Sequence, residues 1–218
     1  MRLYYFTTSD FGLQAIRDRR LKVARIDELN DPFEFIGLAL DRAGRRAFNG
    51  FKKAMNARYG MICLSSDWTH PLLWGHYADK HKGLALGFDV LDGDIFEPVK
   101  YYSKRLTPTE FGLTSLHHMT EAHMKEMLGM KFAAWSYESE HRAFCRLEDR
   151  DPVSELYFLP FTDLLTLKQV IVGARSPVTR ARLSDVLGTH GTGVEAFKAR
   201  PGFKEFAVVE NKRKSAWK

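Results

Sequence analysis

The order of apolar and polar residues alternates between strand-like and helix-like spacings along the chain. Short apolar runs and runs that alternate at every second position predict strands, whereas apolar residues at every third or fourth position predict helices. Strands are predicted at residues 3–7, 21–26, 61–64, 84–90, 99–102, 138–147, 169–173 and 206–209. Helices are predicted after the cap residues 8–10 and at 41–58, 71–79, 109–132, 160–167 and 178–187.

These elements follow one another without a repeat, a linker or a low-complexity block. Strands and helices are interspersed, and the strand patterns are those of a sheet with helices packed beside it. We therefore expect one α+β domain over residues 1–210, built on a central, mostly antiparallel sheet, and a basic tail at 211–218.

Composition narrows the class of protein. The 218 residues are long enough for a sizeable core, and no apolar run approaches the roughly 20 residues of a membrane span. Both cysteines, Cys63 and Cys145, lie in apolar runs, which predicts buried reduced thiols and excludes a disulfide scaffold. The chain opens with strand-like sequence rather than a signal peptide, so we expect a cytoplasmic protein without membrane contact.

The net charge of +6 is unevenly placed. Residues 198–218 carry seven Lys or Arg against two Glu, and the predicted helix 41–58 is also basic. Such segments are commonly solvated helix faces and mobile termini, but they also suit phosphate contact. The candidate nucleic-acid residues are Arg45, Arg46, Lys52, Lys53, Lys212, Arg213 and Lys214.

The histidines do not predict a metal site. His76 and His81 are five residues apart, which places them on different faces of a helix. His117, His118 and His123 lack a carboxylate at the spacing of zinc enzymes, and no cysteine pair completes a site. The chain also lacks the glycine-rich motifs of Rossmann and phosphate-loop proteins. We expect no bound metal.

Two carboxylates two residues apart, Glu138 and Glu140, head a predicted strand. Side chains at alternate strand positions share one face, so both should align with Arg142. Framed by Trp135 and Tyr137, this charged edge suits a cleft. The alternative is a solvent-facing ladder on an edge strand.

Two further polar clusters adjoin predicted strands. One is the turn at 30–34, and the other joins Ser65 and Ser66 to the segment 74–83. Sites are often built from such loops on rigid elements. The structural alternatives are that Trp74 and Tyr77 are core residues, His76 a buried imidazole with satisfied hydrogen bonds, and the turn only a turn.

Four blocks together resemble a bacterial and phage family that is catalogued only as a domain of unknown function. They are Asn30-Asp31-Pro32-Phe33-Glu34, the segment from Trp74 to Gly83 with His76-Tyr77-Ala78-Asp79, the segment Trp135-x-Tyr137-Glu138-x-Glu140-x-Arg142, and Val170-Ile171-Val172-Gly173. This resemblance implies kinship but no activity.

A weaker resemblance does imply an activity. The order of a first strand with Tyr5 and Thr7, a strand ending in Ser65 and Ser66, and a late strand led by Glu138-Ser139-Glu140 is similar to the three motifs of ADP-ribosyltransferases. Those enzymes carry Arg or His in the first strand, where this chain has Tyr5 and Thr7. The resemblance implies a sheet split into two halves and NAD as co-substrate.

In that family the nicotinamide–ribose bond is cleaved through an oxocarbenium-like transition state, which a carboxylate stabilises. The resemblance therefore implies Glu140 as the catalytic carboxylate and Glu138 as the residue facing the acceptor. NAD would be bound by Tyr5, Thr7, Ser65, Ser66, His76, Tyr77 and Arg142.

The expected activity is transfer of ADP-ribose to nucleic acid or protein, as in a toxin or phage-defence effector. Two alternatives stay open: a nucleic-acid-binding or nucleic-acid-processing protein that does not use NAD, with His76 and His81 as acid–base groups, and a partner protein without catalysis. The sequence does not fix the oligomeric state.

Overall fold

The computed structural model describes residues 1–91 and 95–213, Ser215 and Trp217, without the side chain of His117. It is a mixed α/β structure in which the chain divides into two compact units. Unit 1 contains Met1–Leu21, Leu64–Gly93 and Leu159–Lys218, and unit 2 contains Lys22–Cys63 and Asp94–Phe158.

Unit 1 is built on antiparallel strands with one parallel pair. Its elements are β1 (Arg2–Thr7), α1 (Ser9–Asp18), α3 (Pro71–Tyr77), β5 (Leu84–Val90), β11 (Leu165–Val172), α5 (Arg180–Leu187), β12 (Glu195–Pro201) and β13 (Val208–Glu210). The strands run in the order β13-β12-β11-β5-β1, and only β11 and β12 are parallel among these pairs. The expectation of a mostly antiparallel sheet is confirmed.

The core of unit 1 surrounds Trp74, which is fully buried. Its indole Nε1 donates to the carbonyl of Trp68 at 2.7 Å, and its ring meets Phe6 edge-on with 5.3 Å between ring centroids. Because the polar N–H is satisfied inside an apolar cluster, Trp74 is a core residue. This is the structural alternative raised for that residue above.

The residues that follow α3 form a tight, strained turn. Asp79, Lys80 and His81 have φ of 43°, 53° and 69°, a left-handed conformation that non-glycine residues rarely adopt. The backbone N–H of Gly83 donates to Ala78 O at 2.8 Å and closes the turn. Much of the segment 74–83 therefore serves to connect α3 to β5.

Most of the remaining strands and helices lie in unit 2, and one of them, β4 (Tyr59–Ser65), starts in unit 2 and ends in unit 1. They are β3 (Ala24–Arg25), α2 (Arg42–Arg58), β4, β6 (Glu97–Pro98), β7 (Lys100–Tyr102), α4 (Glu121–Leu128), β8 (Met130–Phe132) and β9 (Glu140–Arg146). Strands β2 (Arg20–Lys22) and β10 (Phe158–Pro160) each span a position at which the sequence passes from one unit to the other. Antiparallel pairs join β3 to β4 and β6 to β9, and β7 pairs with β8 in parallel.

Helix α2 shows why this part of the sequence is helical. Asp41 caps it by accepting from Gly44 N at 2.7 Å. Phe48 and Met55, seven residues apart and so on one face of the helix, pack into a core shared with Met124 and Met127 of α4. The opposite face is left to the basic residues.

The structure corrects four element predictions. The predicted helix 109–132 is a shorter α4 followed by strand β8, and the predicted helix 160–167 is replaced by β10 and the start of β11. Strand β12 was not predicted, although Phe197-Lys198-Ala199-Arg200 alternates apolar and polar residues as strands do. The run 133–138 is a 3₁₀ helix, and the strand starts only at Glu140.

Candidate functional site

Five charged side chains of unit 2 form a buried ion cluster. They are Glu34, Lys131, Glu138, Glu140 and Arg142, and each is at most 8% exposed. Charged groups at this depth are stable only when their partners replace the lost water. The cluster contains two of the segments singled out in the sequence, the turn at 30–34 and the run from Trp135 to Arg142.

Arg142 is the centre of the cluster, and every N–H of its guanidinium has a partner. Nη1 and Nη2 donate to the two oxygens of Glu34 at 2.9 and 2.7 Å. Nε and Nη2 donate to the two oxygens of Glu140 at 2.7 and 2.9 Å, and Nη1 also donates to Leu128 O at 2.6 Å. The five donors of arginine are thereby used in one planar arrangement.

Lys131 joins the remaining carboxylates. Its ammonium lies 2.5 Å from Glu138, 2.8 Å from Glu140 and 3.3 Å from Glu34, and 5.3 Å above the ring of Trp135. Burial opposes its charge, but the surrounding carboxylates outweigh that effect and raise its pKa. Lys131 is therefore a fixed ammonium rather than a proton donor at neutral pH.

The same contacts act on Glu140 and on the neighbouring thiol. Burial alone raises the pKa of Glu140, but the charge and hydrogen bonds of Arg142, with Lys131, hold that pKa at about 2. The thiol of Cys63 has its pKa raised well above the usual range by burial and then by the charge of Glu140. Cys63 therefore stays protonated and is a poor nucleophile.

Two short backbone features bring the cluster together. Asp31 accepts from Phe33 N at 2.9 Å and its carbonyl accepts from Glu34 N at 3.0 Å, which turns Glu34 inward. Ser139 adopts a left-handed conformation with φ of 44° between Glu138 and Glu140. That kink directs both carboxylates to Lys131 although only Glu140 lies in β9.

The predicted catalytic pair is thus assembled, but in the interior. Glu138 is 4% exposed and Glu140 is 5% exposed, so they form neither a solvent-facing ladder nor the wall of an open cleft. Both oxygens of Glu140 accept hydrogen bonds from cluster partners. The arrangement holds the carboxylates in place, and Arg142 positions Glu140.

The other residues predicted to bind NAD lie in unit 1. Thr7 and Ser65 are buried, Tyr5 and Tyr77 are half-buried, and Ser66 and His76 are exposed. Ser65 Oγ donates to Asp67 O at 2.9 Å and accepts from Asp67 N at 3.0 Å, which makes it part of a local turn. The predicted set is therefore divided, with Arg142 in unit 2.

Unit 2 also contains a cavity of about 320 Å³ that the sequence did not predict. Its volume lies at the lower end of the range for small-molecule sites. Sequence reasoning missed it because its three lining segments are far apart along the chain. The lining residues are Phe33, Ile36, Gly37, Tyr102, Ser103, Lys104, Arg105, Met130, Lys131 and Phe132.

Three of the four candidate nucleic-acid residues of α2, Arg45, Arg46 and Lys53, are exposed on one helical face. Arg42, which was not among the candidates, is exposed on the same face, three residues before Arg45 and four before Arg46. Lys52 is half-buried and donates to Glu34 O at 3.4 Å. The helix contains no Asp or Glu.

In the C-terminal segment, Lys212 and Arg213 are exposed, and Lys214 lies outside the described residues. Trp217 is buried and its Nε1 donates to Val178 O at 2.9 Å. At Trp217 the chain is therefore anchored to unit 1, which was not expected of a mobile tail.

Three further findings bear on function. Over the residues that the structure describes, no group of three or more His, Cys, Asp or Glu is arranged to hold a metal ion. Within the same residues no helix has the length and apolarity that a bilayer crossing requires. Comparisons with protein-family models, curated proteins and solved structures gave no match.

Proposed function

We propose that the protein binds nucleic acid through the basic face of α2. The observation that carries the proposal is that Arg42, Arg45, Arg46 and Lys53 project from one face of a helix without a single carboxylate. None of them takes part in an ion pair between described residues. Their charges are therefore available to phosphates.

The neighbouring helix face supports close approach of a nucleic-acid backbone. Ala43, Ala47, Gly50 and Ala54 are exposed there, and no long side chain separates the helix from a strand lying against it. From Arg42 to Lys53 the basic face extends about 16 Å along the axis. Contacts of this kind depend on charge and are weakly selective for sequence.

The test is the salt dependence of binding to single-stranded and double-stranded DNA and RNA. Each neutralised phosphate contributes a slope of about −0.7 for a single strand and −0.9 for a duplex when the logarithm of the association constant is plotted against log salt. The variant Arg45→Gln/Arg46→Gln/Lys53→Gln should weaken binding and remove about two to three such contacts from the slope.

A matched control loses the same charge elsewhere in unit 2. Lys22, Lys100 and Lys125 are exposed but paired with Glu28, Glu126 and Glu97 at 2.9, 3.4 and 2.6 Å. The triple change of these lysines to Gln should leave both affinity and slope near those of wild type. Equal weakening by the two triple variants would mean that only net charge matters, and the α2 interface would be rejected.

ADP-ribose transfer from NAD is a second proposal. It is favoured by one observation: the predicted carboxylates Glu138 and Glu140 converge on Lys131, and Lys131 also lines a ligand-sized cavity. For Glu140 to act on a ribose, substrate hydroxyls must replace the contacts with Lys131 that it makes here.

Nicotinamide release by wild type beside Glu138→Gln and Glu140→Gln tests this proposal, with thermal melting of each variant as a check on folding. Release by wild type that is lost in a folded Glu140→Gln variant is the expected result. Absence of release, with no effect of NAD on the melting temperature of wild type, would reject it.

A further inference from the structure

The cavity of unit 2 has aromatic walls that are unusually open to solvent. Phe33 and Phe132 belong to different lining segments, the turn after Pro32 and the end of β8, and are 62% and 53% exposed. Tyr102 and Met130 complete the apolar surface. Exposed aromatic rings around one concavity are typical of binding surfaces, and every nucleobase has a flat face that stacks on such rings.

Cations lie at the same cavity. The guanidinium of Arg105 is 5.6 Å from the centre of the Phe33 ring, and it joins no ion pair between described residues. Lys104 also lines the cavity but is paired with Glu110 at 3.1 Å. An apolar slot beside an unpaired guanidinium suits a ligand that combines a flat ring with an anionic phosphate.

Helix α2 contacts the turn that carries one wall of the cavity. Lys52 donates to Glu34 O at 3.4 Å and lies 5.8 Å above the Phe35 ring. Phe33, the cavity wall, precedes Glu34 in the same turn. Helix α2, which carries the proposed phosphate-binding face, therefore lies against the turn that carries a wall of the aromatic cavity.

The buried ion cluster holds the cavity walls in place. Glu34, fixed by Arg142, belongs to the turn that carries Phe33. Lys131, fixed by three carboxylates, precedes Phe132 in β8. Walls held in this way lose little entropy when a ligand enters.

We infer that the cavity receives one unstacked base of a single strand whose phosphates lie along α2. This inference rests on the proposed nucleic-acid function and specifies that the protein binds a base of the strand in addition to its phosphates. Arg105 contacts the phosphate next to the inserted base, and Phe33 and Phe132 contact the base itself. A free nucleotide shares this chemistry, and the experiment separates the two sources.

The test uses a single strand of about 12 thymidines with one central 2-aminopurine, whose fluorescence falls when the base stacks on an aromatic ring. Wild type should quench the probe on binding. Phe132→Ala should abolish quenching and weaken binding by about 5-fold to 150-fold, with an unchanged salt slope, because stacking contributes about 1–3 kcal/mol per base.

Two controls make the result specific. Phe206→Ala removes a fully exposed phenyl ring in unit 1 and should leave quenching and affinity unchanged. Ser103→Leu, at an exposed position of the cavity lining, should reduce quenching by filling space with a side chain that has no aromatic ring, and it provides a second variant if Phe132→Ala fails to fold.

The outcomes distinguish this inference from the proposed function. Salt-dependent binding without quenching, or quenching that persists in Phe132→Ala, would overturn the base-binding cavity and leave the α2 interface standing. If wild-type protein bound no single strand at all, both the base-binding cavity and the α2 interface would be rejected. Quenching of free 2-aminopurine nucleotide, with none in the strand, would overturn assignment of the cavity to a strand.

Discussion

Arg142 holds Glu34 through two parallel hydrogen bonds of 2.9 and 2.7 Å, although 108 residues separate them in the chain. The pair explains why the turn at 30–34 carries a buried negative charge and strand β9 carries a buried positive charge. The pair also holds neighbouring parts of unit 2 in place, whichever activity the protein has. Both proposed ligand surfaces of unit 2 are tied to it, the cavity through Phe33 and helix α2 through Lys52.

We expect Arg142→Lys to destabilise the protein by about 3–5 kcal/mol, because lysine cannot supply five donors in a plane and leaves oxygens of the buried carboxylates with fewer hydrogen bonds. The measurement is urea unfolding at neutral pH. Arg2→Lys is the matched control, since Arg2 makes a similar two-bond contact with Asp89, at 2.8 and 3.1 Å, on the surface. It should change stability by less than about 1 kcal/mol. Similar effects of the two changes would contradict the importance of the buried cluster.

Acid should destabilise the protein partly through Glu140. Its folded-state pKa of about 2 lies below its ordinary value of 4.5, so its stabilising contribution is complete above that value and is lost as pH falls from about 4.5 to about 2. In this window one such group lowers the free energy of unfolding by up to about 1.4 kcal/mol per pH unit. Glu140→Gln should flatten the dependence measured by urea unfolding between pH 5 and pH 3.

Exposed Glu110 also has its pKa lowered to about 2, by the backbone N–H of Thr107 and by Lys104, and it titrates in the same window. Glu110→Gln therefore gives the surface contribution for comparison, which solvent screening should keep smaller. A pH dependence of Glu140→Gln as steep as that of wild type would show that Glu140 does not hold its charge in the folded state.

We expect opposite effects on stability when alanine replaces Gly75, inside α3, and Gly83, in the turn after it. A Cβ at Gly83 would lie 2.0 Å from Thr7 O, so Gly83→Ala should force the turn away from β1 and lower the melting temperature sharply, at a cost above about 2 kcal/mol. A Cβ at Gly75 meets nothing within 4 Å, and alanine should stabilise α3 by up to about 1 kcal/mol. Thermal melting of both variants checks the pair, and a neutral Gly83→Ala would refute the close approach of the two backbones.

Local pattern was enough to predict some parts of unit 2 and not others. The shared face of Glu140 and Arg142 follows from strand alternation, and the buried face of α2 follows from the spacing of Phe48 and Met55. The position of Glu138 does not, since it depends on the left-handed conformation of Ser139.

Contacts between distant segments were beyond the sequence. The sequence predicts Glu34 only as a turn residue, and its ion pair with Arg142 becomes apparent only in the structure. The segment at 130–132 reads as the end of a long helix, because its parallel partner β7 is almost 30 residues earlier in the chain. Phe33, an aromatic residue in a polar turn, was the one local signal of the cavity.

Thiol labelling tests the electrostatics of the cluster through the reactivity of a neighbouring cysteine. The pKa of Cys63 is raised well above the usual range by burial and by Glu140, and burial alone raises that of Cys145 to about 11. Both thiols should therefore react slowly with iodoacetamide at pH 8 in the folded protein and rapidly after unfolding. In Glu140→Gln the nearby negative charge is gone, so the pKa of Cys63 should fall and its labelling should accelerate. Cys145, followed by mass spectrometry of the same sample, is the internal control and should keep its rate. Equal acceleration of both thiols would indicate general loosening of unit 2 rather than loss of one charge beside Cys63.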